Sequence, residues 1–233
     1  SKNINFETYL IINSKYFLIS VVQKLNNKLV YEDKKMINDD SEKIDLNLLD
    51  DFLKKNVFEI EKKIGNFLNN IFLIIDYDVF FPVKISIKKN YSGELITLES
   101  LNYLLNEIKK DCNKTILGRK IVHVIIDNYR IDNENFTVLP ENIKCDFLCL
   151  DINFLCLSNK YIKDLENVFK KYHIVLSKIF SANYMRSLFS QNEHDLIKMA
   201  VQVKDGYNPN EVALVEKKLE NKGFFEKFFD FFR

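Results

Sequence analysis

The sequence predicts an α/β (α+β) fold, and three observations carry the prediction. Apolar runs of strand length alternate along the chain with longer stretches whose apolar residues recur at helical spacing. One of the short runs, Ile71 to Ile75, is apolar throughout, which suits a strand buried on both faces. Apolar residues make up 47% of the 233, so the chain has the means to bury a sizeable core.

From the start of the sequence, Tyr9 to Val22 reads as two short β segments around Asn13-Ser14. A turn at Asn26-Asn27 and a strand near Leu29 to Tyr31 follow, and the polar stretch Lys34 to Lys43 reads as a loop. Asp45 can cap a helix running to about Ile64, with Leu48, Leu49, Phe52, Leu53, Val57, Ile60 and Ile64 at helical spacing and Gly65 as its stop. After the Ile71 run, Val79 to Ile87 alternates Val83, Ile85 and Ile87 with Lys84 and Ser86. Thr97 then caps a helix to about Asp111. Lys120 to Ile131 and Phe147 to Leu157 read as strands. A helix from Ser158 or Asn159 through Tyr172, a strand from Val175 to Phe180 and a short helix from Ala182 to Phe189 complete this part. Asp195 to Val203 fits either a strand or a helix. Asp205-Gly206 marks a turn, and Asn208-Pro209 supplies an N-cap and first-turn proline for a helix to about Asn221.

Composition excludes some function classes. Lys plus Arg number 34 against 33 acidic residues, a net charge of +1, so the basic excess of a nucleic-acid binder is missing. Cys112, Cys145, Cys149 and Cys156 form no C-x-x-C pair and are expected to be reduced packing residues. His123, His173 and His194 are too dispersed to be read as a metal set. Asp39-Asp40 falls in a loop and Asp50-Asp51 at a helix start, where solvation or the helix dipole accounts for them. Ser14-Lys15 has no recognisable constellation around it for nucleophilic catalysis. No signal peptide is expected, and no apolar run reaches the roughly 18 residues of a membrane span.

Lys222 to Arg233 (KGFFEKFFDFFR) stands apart. At about 100° per residue, Phe224, Phe225, Phe228, Phe229, Phe231 and Phe232 cover one arc of roughly 160°, and Glu226, Lys227, Asp230 and Arg233 take the other side. Such a stripe packs on the protein's own core, on a partner or in a lipid surface. Six rings exceed what a docking stripe needs and Gly223 offers a hinge, so a lipid surface is the expectation. Lys222, Lys227 and Arg233 would sit beside the headgroups. From Glu216 to Arg233 five basic residues face four acidic ones, so ring burial must drive binding. Six rings yield at most about 9–18 kcal/mol. Ordering some eleven residues costs about 1.5 kcal/mol each. One such helix is a weak anchor that needs several copies together.

Several stretches resemble the bacterial cell-division protein FtsA, a membrane-attached member of the actin-like ATPase family. The clearest is Lys120 to Leu188, with KIVHVIIDNYRIDN and then KCDFLCLDINFLCLSNKYIKDLENVFKKYHIVLSKIFSANYMRSL. It is similar to the end of the family's inserted subdomain 1C and the return to subdomain 1A. Ile71 to Lys110 is similar to the start of that subdomain, and Tyr9 to Ile64 to the family's first hairpin and helix. The resemblance implies a partial actin-like fold. Residues 1–68 and 175–193 would be 1A-like, 69–174 1C-like, 194–222 a linker and helix, and 223–233 the family's membrane-targeting helix.

The phosphate-binding turns of that family do not carry over. An acidic residue, a glycine and a Thr or Ser let the backbone approach the phosphates. Here Ile11 stands at the acidic position and Asn13 at the glycine, while Lys15 matches the family's lysine after the turn. No second such turn follows Leu188, and no two of the five glycines are adjacent. The expectation is therefore a reduced member without catalytic, cofactor or metal residues, ATP included. It would be a cell-division adaptor on the cytoplasmic face of the inner membrane, at the division site. Its partners would be the lipid surface, other copies of itself and other division proteins, but no nucleic acid. FtsZ is bound in that family through subdomain 2B, a part not recognised in this sequence. A divergent ATPase completed by a partner chain and a pilus-assembly relative of FtsA remain as alternatives.

Overall fold

The computed structural model describes residues 6–37, 43–140, 142–190 and 193–212. β1 (Phe6–Asn13), β2 (Tyr16–Gln23) and β3 (Leu29–Met36) form an antiparallel meander. α1 (Leu46–Ile64) crosses to β4 (Asn70–Asp76), which pairs parallel with β1. β9 (Val175–Ser181) pairs parallel with β4, giving the order β3-β2-β1-β4-β9. The second sheet, of order β5-β8-β6-β7, comprises β5 (Phe81–Asn90), β6 (Arg119–Ile131), β7 (Glu134–Phe136) and β8 (Phe147–Ser158). α2 (Leu98–Thr115) covers one face of it.

The first sheet is buried on both sides, as its apolar runs require. Leu10, Ile12, Phe17, Ile19, Leu73 and Ile75 meet α1 and α3 (Asn159–Lys170) through Phe52, Leu53, Ile60, Leu165 and Phe169. Tyr9, Ile11, Ile74 and Phe180 meet α4 (Ala182–Leu188) and α5 (Leu196–Lys204) through Met185, Met199 and Val203. β4 sends Leu73 and Ile75 into one core and Ile74 into the other, which is why its run has no polar residue in the middle. The fold class is the α/β architecture expected.

The caps also lie where the sequence places them. The Asp45 side chain accepts from the Asn47 and Leu48 N–H groups at 2.9 and 3.0 Å. Gly65 closes α1 at φ 66°, a conformation that a side chain would strain. Thr97 and Ser100 complete a capping box on α2. The ambiguous Asp195 to Val203 is helical, with Asp195 as its cap.

Three expectations change. Lys34 to Met36 belong to β3 rather than to a loop, because pairing with Tyr16 to Leu18 satisfies their backbone whatever their side chains. The boundary of the inserted unit also moves. β4 lies inside the first sheet and α3 packs on its core, so the second sheet with α2 spans Phe81 to Ser158 rather than 69–174. Asn208-Pro209 opens no helix among the described residues, and 213–221 of the expected helix lie outside them. The Asn208 side chain accepts from the Asn210 N–H at 3.0 Å, and the chain then lies along β6. Ile126 N–H donates to Asn210 O at 2.9 Å and Val212 N–H to Val124 O at 2.9 Å. The open edge of β6 at these residues holds the chain extended.

Two substitutions measure the core and the caps. Phe169→Ala, at a fully buried ring between α3 and the first sheet, should cost about 3–5 kcal/mol in urea denaturation. Asp45→Ala should cost about 1 kcal/mol by loss of the α1 cap.

Candidate functional site

In open α/β sheets, ligands gather at the carboxyl ends of the strands. At that end of β1 the Asn13 side chain is buried and folds over the hairpin turn, accepting from Lys15 N–H at 2.9 Å and Tyr16 N–H at 2.8 Å. These are donors that a phosphate cradle would direct at its ligand, and here they are occupied from within. Ser14 is half-buried and Lys15 exposed on the turn. At the end of β4, Asp76 is gripped at both oxygens by the Arg186 guanidinium of α4, at 2.7 and 2.6 Å. A bidentate pair of this kind fixes α4 to the sheet and occupies both oxygens of the carboxylate.

A cleft lies beside these groups, lined by Ser14, Asp76, Asp78, Lys160, Tyr161 and Asp164. The Tyr161 hydroxyl is buried and has no hydrogen-bond partner among the described residues, and burial pushes its pKa above the ordinary phenol value. The arrangement offers polar contacts to a visitor.

The more elaborate network lies at the seam between the two sheets. His123 of β6 is sealed from solvent. Its Nε2 accepts the Ser181 N–H from the end of β9 at 3.1 Å, and its Nδ1 lies 2.7 Å from Glu211 Oε1. A ring nitrogen that accepts an N–H cannot itself carry a proton, so the imidazole is neutral and Nδ1–H donates to the carboxylate. Tyr184 of α4 donates to Glu211 Oε2 at 3.0 Å, Lys178 Nζ stands 3.7 Å from Oε1, and the Asn208 amide donates to the Tyr184 hydroxyl at 2.9 Å.

Burial holds the His123 pKa below the ordinary imidazole value, although the Glu211 carboxylate pulls the other way. Burial alone would raise Glu211, but the His123 bond, Lys178 and the Tyr184 hydroxyl together hold it below the usual carboxylate range. The network fastens the second sheet, α4 and the segment after α5 to one another. It is an assembly of structural hydrogen bonds around one imidazole.

The remaining expected residues stay apart. His173 is exposed in a left-handed turn after α3, and His194 is exposed before α5. Among the described residues no group of three or more His, Cys, Asp or Glu could hold a metal ion. The four cysteines are free, with Cys145 and Cys156 buried and Cys112 and Cys149 half-buried. Asp50 is engaged by Lys171 and by the Tyr172 hydroxyl, each at 2.6 Å, which ties α1 to the end of α3. Asp51 is exposed on α1. Asp39-Asp40 lie outside the described residues, as do Lys222, Phe224, Phe225, Lys227, Phe228, Phe229, Phe231, Phe232 and Arg233. No helix among the described residues is long and apolar enough to cross a membrane. Sequence reasoning missed the His123 network, although a histidine at an inward position of an alternating strand signals the need for a buried partner.

No family model matches the sequence, and no curated relative does either. Among solved structures the chain is similar to one from a PilM-PilN type IV pilus biogenesis complex, with 8% identity and a TM-score of 0.45 over 77% of this chain and 48% of that one. It is similar to the cytoplasmic domain of EpsL, an inner-membrane component of the type II secretion system of Vibrio cholerae. There the identity is 6% and the TM-score 0.39 over 81% and 61% of the two chains. A Bacteroides thetaiotaomicron protein described as having an actin-like ATPase fold gives 13% and 0.30 over 79% and 55%. The chain thus spans 48–61% of the length of these three. At such values the likeness concerns chain geometry and carries nothing about activity or partners.

The depressed His123 pKa sets a pH dependence. The neutral ring contributes its stability fully above the unfolded imidazole value of 6.5, and that stability is lost as pH falls through the lower folded value. Urea midpoints should therefore drop between pH 7.5 and pH 5.5. His123→Ala should cost about 1–3 kcal/mol at pH 7.5 and flatten the profile over that interval.

Proposed function

We propose that this protein is an actin-like adaptor that does not hydrolyse nucleotide. Its Phe-rich C-terminal stretch holds it on the cytoplasmic face of the inner membrane, and its inserted unit contacts other proteins. The observation that carries the reading is the Asn13 turn, where a side chain occupies the backbone donors that a phosphate would need. With those donors occupied and Asp76 clamped by Arg186, the carboxyl ends of the strands serve rigidity. The stripe from Phe224 to Phe232 supplies the attachment, by burial of rings more than by charge.

Within this reading the protein is an FtsA-like component of the cell-division machinery, acting in several copies because a single tail binds weakly. A pilus-assembly relative of FtsA would do the same physical work in another machine. Proteins cross-linked to the chain in cells distinguish the two.

Isothermal titration should show no ATP binding in the micromolar range. Micromolar affinity, alone or with a partner chain, would overturn the adaptor reading in favour of a divided ATPase. In liposome co-sedimentation the intact chain should pellet and a chain ending at Asn221 should stay in the supernatant. Phe228→Glu should abolish pelleting by placing a charge in the centre of the apolar arc. Equal behaviour of the intact and shortened chains would remove the membrane assignment.

A further inference from the structure

The inserted unit ends on one side in β5, an edge strand of ten residues. It pairs with β8 from Phe81↔Cys156 to Asn90↔Phe147 without a bulge, and Tyr91 N–H prolongs the ladder by donating to Asp146 O at 2.7 Å. In an antiparallel pair, the backbone groups of alternate residues point to the same side. Tyr91 directs its N–H at β8, so Val83, Ile85, Ile87 and Lys89 do the same. The N–H and C=O groups of Lys84, Ser86 and Lys88 therefore point out of the sheet. Among the described residues no backbone group from beyond the edge reaches them.

Side chains on this strand sort by face. Val83, Ile85 and Ile87 lie on the α2 side, where they are only half-buried, although Leu150, Ile152 and Phe154 on the neighbouring β8 are sealed. The core is thus incompletely covered along this edge. Lys84, Ser86 and Lys88 lie on the opposite face and are exposed. β5 carries three lysines and no acidic residue. One edge of the first sheet, β3, differs. β3 is braced by α1, with the Tyr31 hydroxyl donating to Asn56 and Asp33 accepting from Lys55 and Asn56, and its register shifts at Val21/Val22.

Lysines along an edge keep similar strands away. Two copies of β5 laid antiparallel about Ser86 would set Lys84 against Lys88 twice, and like charges directly opposite destabilise a pair. A strand bearing acids at those positions would gain from the same lysines. We propose that β5 takes up an extended segment of a partner protein by strand addition, a segment in which Asp or Glu alternates with apolar residues. The acids face Lys84 and Lys88, and the apolar side chains cover Val83, Ile85 and Ile87. The outward backbone groups of Lys84, Ser86 and Lys88 supply the main-chain hydrogen bonds. This names a partner chemistry for the inserted unit and rests on the reading that the unit makes protein contacts.

The probe is a capped peptide of about ten residues, matching β5 in length, with Glu alternating with Val and Thr. Titrated into the full chain, it should bind saturably and more weakly at high salt, since the lysines are exposed. N-methylation of the peptide's alternate backbone nitrogens should weaken binding by about tenfold or more, because it removes the donors of strand addition. The double variant Lys84→Glu/Lys88→Glu, its circular dichroism unchanged, should lose the Glu peptide to a similar degree and bind a Lys-for-Glu version instead. Four results would overturn the proposal: no binding of the Glu peptide, equal binding of the N-methylated form, unchanged affinity in the variant, or a dimer through β5 that excludes the peptide. Liposome attachment is read independently, so failure of the peptide leaves the membrane assignment standing, and the converse also holds.

Discussion

A neutral imidazole sealed in the seam between two sheets must find a donor on one side and an acceptor on the other. His123 finds them in the Ser181 backbone of the first sheet and in Glu211, which arrives 88 positions later in the chain. Leaving either ring nitrogen unpaired at that depth would cost about 1–3 kcal/mol. That requirement joins three parts: the second sheet, α4 and the extended segment after α5. Ile125 and Leu155 reach from the second sheet into the core under α4 and α5, so the polar joint sits inside an apolar one. Stacked rings of Phe189 and Tyr207, 4.3 Å apart, brace the turn that delivers Asn208 and Glu211.

The two ends of the architecture differ in what they leave open. Where β1 and β4 finish, Asn13 and Arg186 turn the polar groups inward, and the backbone and carboxylate there already have partners. At the far side of the inserted unit, β5 finishes its sheet with backbone groups directed outward and a half-covered apolar row beside them. Rigid strand ends and an unpaired edge support the proposed adaptor reading. The charge on that edge then governs which strand can approach.

Much of the fold was legible because its signals are local. Asp45 and Gly65 bracket α1 by capping chemistry that needs no knowledge of the rest of the chain. Ile71 to Ile75 announces a strand covered on both sides, and β4 is one. Less legible was β3, whose last residues look like a loop until β2 pairs with them.

The sequence by itself determined the class, the order of strands and helices through α4 except the short β7, and the caps of α1 and α2, because periodicity and capping act within a few residues. Only the tertiary structure decided where the inserted unit begins and ends, since β4 and α3 belong to whichever core their apolar faces meet. It also decided that residues 210–212 run extended, because the free edge of β6 holds hydrogen bonds that an N-cap and a proline could not foretell. The His123 joint is the extreme case. Its members are dispersed from position 123 to position 211, and nothing in their spacing relates them. Long-range pairing is a property of the packed chain, where burial removes water as a partner and each polar group must find another.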